Sequence, residues 1–404
     1  MENNTTYNQE GRKILFTVWY AEGFHGAVIH ISEIAEYLIS KGWNVYCVCT
    51  ILSEDIKKYF SSKGIKIFAA DCCDYSIEYD IIWNIHFPIF MFLLKNNIRY
   101  KKIIFNALSP FLEIEAPPCC YEAYSTLLAV SEETKDKLVN YYNIPRDKIS
   151  VLKNIVPLSY FTQHKTYNKS VKKIVIVSNH LPQELLDSIP LFREKGIECN
   201  IIGRNFNYIP VCPQVLSQYD VIITIGKTVQ YSLALGIPCY NYDYWGGVGY
   251  ITENNLKREE YYNFSGRPHK TKKTSIEIVS EIIDEYNTAF KSSRQLKDIA
   301  EKKYGISSQI DPIIDHVLSS PKKEINLKEY SIIIDQYYFL VHAILTYYSK
   351  KNKNPLNKNQ IKKLFYIESE PDKNSKHLII QVCGIRLKFK LPANKIFSNS
   401  KKCL

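Results

Sequence analysis

Long apolar runs are missing from this sequence. A membrane-spanning helix needs about 20 consecutive apolar residues, and the nearest approach, Phe87 to Leu94, stops far short. A second candidate, Ser331 to Tyr348, is broken by Asp335, Gln336 and His342. A spanning helix is therefore not expected. No Cys-x-x-Cys occurs, although the chain has 11 cysteines. Zinc needs four ligands in local groups, and no cysteine cluster here has histidines beside it. Cys47 and Cys49 sit inside an apolar run, and Cys72–Cys73 and Cys119–Cys120 are adjacent pairs. They read as thiols of a reduced compartment. The opening MENNTTYNQEGRK has no apolar stretch of the signal-peptide kind. A cytoplasmic location is the expectation.

An excess of charge is also missing from most of the chain. Residues 1–320 carry 35 basic and 35 acidic side chains, while residues 321–404 carry 17 and 6, so the whole net charge of +11 lies in the tail. A neutral body with a basic tail does not look like a dedicated nucleic-acid binder, whose footprint would be a basic face on the folded domain. The basic tail fits attraction to an anionic membrane surface or an acidic partner, or else a solvated Lys- and Asn-rich end.

With 404 residues, 46% hydrophobic and 23% charged, the chain is a globular protein of two or three domains. Lys13–Tyr20 (KILFTVWY) has the unbroken apolar texture of a buried parallel strand. A small-residue turn follows, then Val28, Ile31, Ile34, Ala35 and Leu38 at helical spacing, a Gly42 stop and the strand Asn44–Thr50. This strand-turn-helix-strand unit opens a doubly wound sheet. Strands are expected again at 66–70, 80–85, 102–106, 127–130 and 148–152, with a helix over 134–142 capped by Ser131. Residues 157–171 read as a linker. The pattern restarts with strands at 173–178, 198–202, 220–225 and 237–242. The spacing predicts helices over 182–195, from Thr228 to Leu235, and over 274–290, 295–304 and 310–318. The fold class is α/β. Two Rossmann-like domains, 12–156 and 172–320, are joined by the linker 157–171 and followed by a small basic C-terminal module, 321–404. In that module a helix over 327–348 and strands at 364–366, 377–383 and 385–390 are expected, the last two hinged at Gly384. Alternation puts Arg386, Lys388 and Lys390 on one face of the last strand, a candidate docking strip.

Open parallel sheets bind ligands beyond the carboxyl ends of their strands, so two such sheets face each other across a cleft. The turns there supply the candidates. In the second half, Gly226, Lys227 and Thr228 head a helix, where free N–H groups and a nearby ammonium suit a phosphate. Gly203 and Arg204 form another turn, and Arg binds phosphate bidentately. Ser178-Asn179-His180 forms a third. Asp243-Tyr-Trp245-Gly246-Gly247 would make a sugar or base platform, and Arg267 could meet a pyrophosphate. In the first half, Gly23, Phe24 and Gly26 form a loop that would face a second substrate across the cleft, with His25 at the turn itself. His30 lies one helical turn further in and is expected to pack. His86, Glu113 and Glu115 are candidate acid–base groups. No Asp-x-Asp pair stands where a diphosphate would bind, so no metal is implied.

Three blocks of residues resemble bacterial group-1 glycosyltransferases. They are Gly26 with His30, Glu33, Leu38 and Gly42; Ala129-Val-Ser-Glu-Glu-Thr134 through Pro145 to Asn154; and Leu233-Ala-Leu-Gly-Ile-Pro238. They stand in family order over about residues 12–318. The Trp-Gly-Gly-x-Gly-Tyr stretch ending at Tyr250, with Asn263–Arg267, is similar to a surface-polysaccharide subgroup. The ending His377–Lys390 resembles that of many such transferases. The resemblance implies the glycosyltransferase-B fold, with a nucleotide-diphosphate sugar as donor substrate and no cofactor. It implies transfer to a capsule or lipopolysaccharide glycan, in the cytoplasm or at the inner face of the membrane. The family's paired glutamates are absent, their places being taken by Ile223 and Tyr231. A non-hydrolysing sugar-nucleotide epimerase and a catalytically silent glycan- or partner-binding subunit are the alternatives.

Overall fold

A computed structural model describes residues 11–351, 365–372, 375–382 and 385–390. The first domain alternates strand and helix: β1 (Lys13–Ala21), α1 (Gly26–Ser40), β2 (Asn44–Leu52), α2 (Glu54–Ser62), β3 (Lys66–Ala69), β4 (Glu78–Asn84), α3 (Phe87–Lys95), β5 (Arg99–Ala107), β6 (Thr126–Ala129), α4 (Glu132–Tyr142) and β7 (Ile149–Val151). Its seven strands are all parallel, in the order β3-β2-β1-β4-β5-β6-β7. Helices cover both faces, which is why β1 and β2 are buried along most of their length. The helix ends follow local chemistry. The Ser131 hydroxyl accepts the Thr134 N–H at 3.2 Å, and Asn143 ends α4 in the left-handed conformation.

The second domain contains α5 (Leu158–Thr162), β8 (Lys173–Val177), α6 (Gln183–Glu194), β9 (Glu198–Ile202), α7 (Pro213–Leu216), β10 (Val221–Thr224), α8 (Lys227–Leu235), β11 (Cys239–Asp243), β12 (Gly246–Tyr250), α9 (Glu253–Tyr261), α10 (Ser275–Asp284) and α11 (Tyr286–Tyr304). Its sheet runs β12-β11-β10-β8-β9, parallel except for β12. Two expectations change here. The stretch after Asp243 is not an open loop: it folds back as β12, an antiparallel edge strand. Residues 274–304 break at Glu285, so α10 ends at Asp284 and α11 runs unbroken through 291–294.

The chain crosses between domains twice at one place. Val156 and Gly305 lie side by side as a parallel bridge, with the Val156 N–H bonded to Tyr304 O at 2.7 Å and the Ile306 N–H to Val156 O at 3.1 Å. Beyond it, α12 (Ile306–Ser319) returns to the first domain, where Ile310, Ile314 and Val317 join the core under α1.

The expected separate module 321–404 is divided. Helix α13 (Ser331–Lys351) packs along α3, and Ile325, Ile334, Val341 and Leu345 belong to the same core as Phe90 and Leu94. This accounts for α3 itself. Every residue from Pro88 to Leu94 is buried, and a helix apolar all round needs partners on both sides. The sheet supplies one and α13 the other. The remaining strands, β13 (Phe365–Asp372), β14 (Ser375–Val382) and β15 (Ile385–Lys390), form an antiparallel sheet with Phe365 opposite Val382 and His377 opposite Lys390. The expected hinge at Gly384, together with Leu364 and Cys383, lies outside the described residues. Among the described residues no helix is long and apolar enough to cross a membrane, the cysteines are free thiols, and no three His, Cys, Asp or Glu side chains gather as a metal-ion cluster.

Candidate active site in the interdomain cleft

The carboxyl ends of the two sheets face each other, and between them lies a cavity of about 380 Å³. The second domain supplies most of its wall: Ser178–His180 after β8, Gly203 after β9, Thr224 to Thr228 around the head of α8, and Asp243 at the end of β11. The first domain supplies Phe24, His25, Gly26 and Ile29, from the turn after β1 and the start of α1.

Gly226 caps α8 with φ 62° and ψ −137°, and no side chain closes that helix end. Lys227 and Thr228 form the first turn. The expectation that Lys227 offers a free charge to a phosphate is corrected. Its Nζ lies 2.6 Å from a Glu33 carboxylate oxygen and donates to Ile155 O at 3.0 Å. The Tyr231 hydroxyl donates to the other Glu33 oxygen. Both charged side chains are nearly sealed, 13% exposed for Lys227 and 10% for Glu33. Burial pushes the Glu33 carboxyl up, against the pull of the Lys227 ammonium. Glu33 was missed as a site residue. Its signal is its place in α1, four residues after Ile29 and four before Tyr37, a carboxylate on a helix stripe that lines a second cavity with them.

Arg267 is likewise engaged. Its guanidinium pairs with Glu133 of the first domain and sits 4.9 Å over the Phe111 ring, outside the cavity wall. Arg204 is exposed, and its main-chain N–H donates to Asn179 Oδ1 at 3.0 Å. His180 is exposed on the cavity rim.

Asp243 is buried. Ser178 Oγ lies 3.1 and 3.0 Å from its two oxygens, and the Tyr244 N–H donates at 2.8 Å. Burial, opposed by the Ser178 hydrogen bond, pushes the carboxyl up to about 6. Trp245 does not join it on the cavity wall. It stands 48% exposed on the hairpin turn, edge-on to Tyr244. Gly246 and Gly247 do not make room for a ligand. A side chain at Gly246 would strike the Thr271 carbonyl, and one at Gly247 the Asn241 carbonyl. These glycines serve backbone packing.

On the first-domain wall, His25 precedes α1 and bonds through Nε2 to Tyr20 O at 3.1 Å. A carbonyl only accepts, so Nε2 carries the proton and Nδ1 is left as an acceptor. Burial holds its pKa down at about 4, so the ring is neutral near pH 7. Gly23 has φ 77°, and a Cβ there would lie 2.7 Å from Tyr208 Oη of the other domain. Gly26 is different: a Cβ would meet no protein atom within 4 Å. Phe24 packs against Tyr59 and Tyr208, with centroids 5.1 and 5.9 Å away.

The other acid–base candidates lie off the cavity wall. Glu115 is 4% exposed, and one of its oxygens accepts the Leu108 and Ser109 N–H groups at 2.6 Å each. It closes its own loop, so the expected role as an acceptor base is corrected. Its other oxygen faces His86, which is 2% exposed and whose Nδ1 accepts the Trp19 N–H at 2.7 Å. His86 is therefore a buried structural group too. Glu113 is exposed on the surface beside Tyr142. His30 is 1% exposed and bonds Asn106 Oδ1 at 3.0 Å.

No protein-family model matches the chain. No curated protein matches it either. Solved structures similar to it include a glycosyltransferase from Rickettsia africae, 16% identical with a TM-score of 0.48, covering 76% of this chain and 98% of that one. The glycotransferase of kitacinnamycin is 10% identical with a TM-score of 0.49, covering 76% and 100%. A UDP-GlcNAc 2-epimerase from Neisseria meningitidis is 13% identical with a TM-score of 0.47, covering 76% and 100%. Likenesses this distant leave function to the site itself. The architecture is α/β: two Rossmann-like sheets whose carboxyl ends face each other across a ligand-sized cleft.

Proposed function

We propose that this chain is a glycosyltransferase that moves a sugar from a nucleotide-diphosphate donor to a capsule or lipopolysaccharide glycan. The observation that carries the reading is the cavity itself. It gathers the open head of α8, the turns after β8 and β9, and the neutral His25 of the opposite wall. The uncapped N–H groups and helix dipole at Lys227 and Thr228 would receive the diphosphate and hold its charge as the sugar leaves. Lys227 would add its ammonium once released from Glu33. His25 Nδ1, an acceptor across the cleft, would orient the attacking hydroxyl by accepting its hydrogen bond. Ser178, Asn179 and His180 would hold the remainder of the donor. The basic tail would bring the enzyme to an anionic membrane surface at the cytoplasmic side.

The test uses Gly26, which lines the cavity and where an added Cβ meets no protein atom within 4 Å. Calorimetry with UDP, GDP and CMP should find one nucleotide that binds the wild-type chain. Gly26→Leu should keep the wild-type melting temperature and lose at least tenfold in that affinity. Turnover of the matching nucleotide-sugar with a glycan acceptor would complete the assignment. The second reading, a silent subunit, is favoured by the engagement of both Lys227 and Arg267 with first-domain carboxylates. It wins if no nucleotide binds the wild-type chain.

A further inference from the structure

The Glu33–Lys227 contact joins elements that share no sheet. Glu33 comes from α1 of the first domain, and Lys227 and Tyr231 come from α8 of the second. The contact also stands between two cavities. Lys227 and Tyr231 line the cleft cavity, and Glu33 lines a second one of about 770 Å³ behind α1, walled by Tyr59, Tyr160 and Val211. Ile155, whose carbonyl is the other acceptor of the ammonium, lies one residue from the Val156 crossing. One buried cluster therefore ties together α1, the head of α8 and the Val156 crossing, the hinge between the two domains.

The ammonium has two competing anions within reach of its site. One is the carboxylate that now holds it at 2.6 Å. The other is any anion seated on the open head of α8, since Lys227 is itself the first residue of that helix. An anion there would gain the helix N–H groups as well as the ammonium. A single buried cation cannot serve both fully, because a charge removed from water needs a close counter-ion. Binding at the helix head and the interdomain contact are then coupled, and the coupling acts equally in both directions.

We propose that Glu33 is an internal stand-in for the ligand's diphosphate. It holds Lys227 across the domain boundary while the cleft is empty, and an arriving diphosphate takes the ammonium from it and frees the hinge. This inference rests on the donor reading above for the identity of the anion. A second pair has the same polarity: Glu133 at the head of α4 holds Arg267 of the second domain. Tyr231 also lines the cleft cavity, and displacement of Glu33 would release the tyrosine hydroxyl.

Glu33→Gln tests this in the full chain. The amide keeps the shape and an acceptor for Tyr231 but removes the charge. Two measurements are made, pyrophosphate affinity by calorimetry and amide exchange at Val156–Tyr160 without ligand. The variant should bind pyrophosphate at least tenfold more tightly than wild type. Its hinge amides should exchange faster than those of the wild-type chain, and pyrophosphate should speed the same amides in wild type. In the double variant Glu33→Gln, Lys227→Gln the gain in affinity should vanish, because the gain acts through the ammonium. Equal or weaker pyrophosphate binding by a folded Glu33→Gln overturns the proposal, as does unchanged hinge exchange. If hinge exchange rises in Glu33→Gln but neither chain binds pyrophosphate or any nucleotide, the contact is a plain interdomain tie. The stand-in role and the donor reading then both fall. Nucleotide binding with unchanged hinge exchange removes the stand-in role alone.

Discussion

His86 and Glu115 face each other at 3.4 Å, nitrogen to oxygen, and both are sealed from solvent. Each is fixed by main-chain N–H groups from the ends of different strands, Trp19 for the ring and Leu108 and Ser109 for the carboxylate. The pair pins the loop after β5 to the end of β1. Glu115→Ala would leave two N–H groups without an acceptor and should cost about 3 kcal/mol of stability. Glu115→Gln should cost less, since one amide oxygen still accepts. Urea unfolding measures both. Loss of transfer activity with unchanged unfolding in Glu115→Ala would return this residue to the chemistry.

The position of α13 decides what can be removed from the C-terminus. Cutting after Ser320 would strip α3 of its outer partner and uncover the apolar surface around Phe90 and Leu94. Each buried side chain of that size contributes about 1.5–3 kcal/mol. Residues 1–320 should therefore aggregate or melt well below the full chain, whereas residues 1–351 should melt close to it. Scanning calorimetry of the two truncations checks this. Equal melting of the shorter chain would show that α13 contributes little.

Asp243 gives the cleft a pH signature. Its folded carboxyl titrates at about 6, against an ordinary value of 3.8. A raised pKa means that the folded state prefers the proton. The stability this contributes is full below pH 3.8 and is lost as the pH rises through 6. Asp243→Asn should therefore gain on wild type by about 2–3 kcal/mol in unfolding free energy between pH 4 and pH 7. An equal difference at both pH values would place the carboxyl in water.

The strands of both sheets were legible because parallel strands covered on two faces must be apolar along most of their length, as Lys13–Ala21 and Asn44–Leu52 are. Helix α8 was legible because Gly226 and Gly236, both at positive φ, bracket it. Helix α3 was not, because an all-apolar segment has no periodicity to read. Edge strand β12 looked like a loop because its glycines are there for backbone contacts with Thr271 and Asn241, which no local pattern announces. The cleft turns were found from topology alone. The partners of their charges were not, since Glu33 lies 194 residues from Lys227, and Glu133 lies 134 from Arg267. Counter-ions that far apart in sequence leave no spacing to recognise.

The paired crossing at Val156 and Gly305 makes the second domain an insertion with a single doorway. The first domain is assembled from both ends of the sequence, the strands through β7 and then α12 and α13. The segment between enters and leaves at neighbouring residues, bonded to each other across the threshold. Such a cassette can be exchanged for another of different ligand preference without cutting a strand of the first sheet. Its own two ends lie close enough for a short loop to close in its place. The two halves of the cleft are thus separate in the chain, and any exchange has the interdomain pairs Glu33–Lys227 and Glu133–Arg267 to re-match.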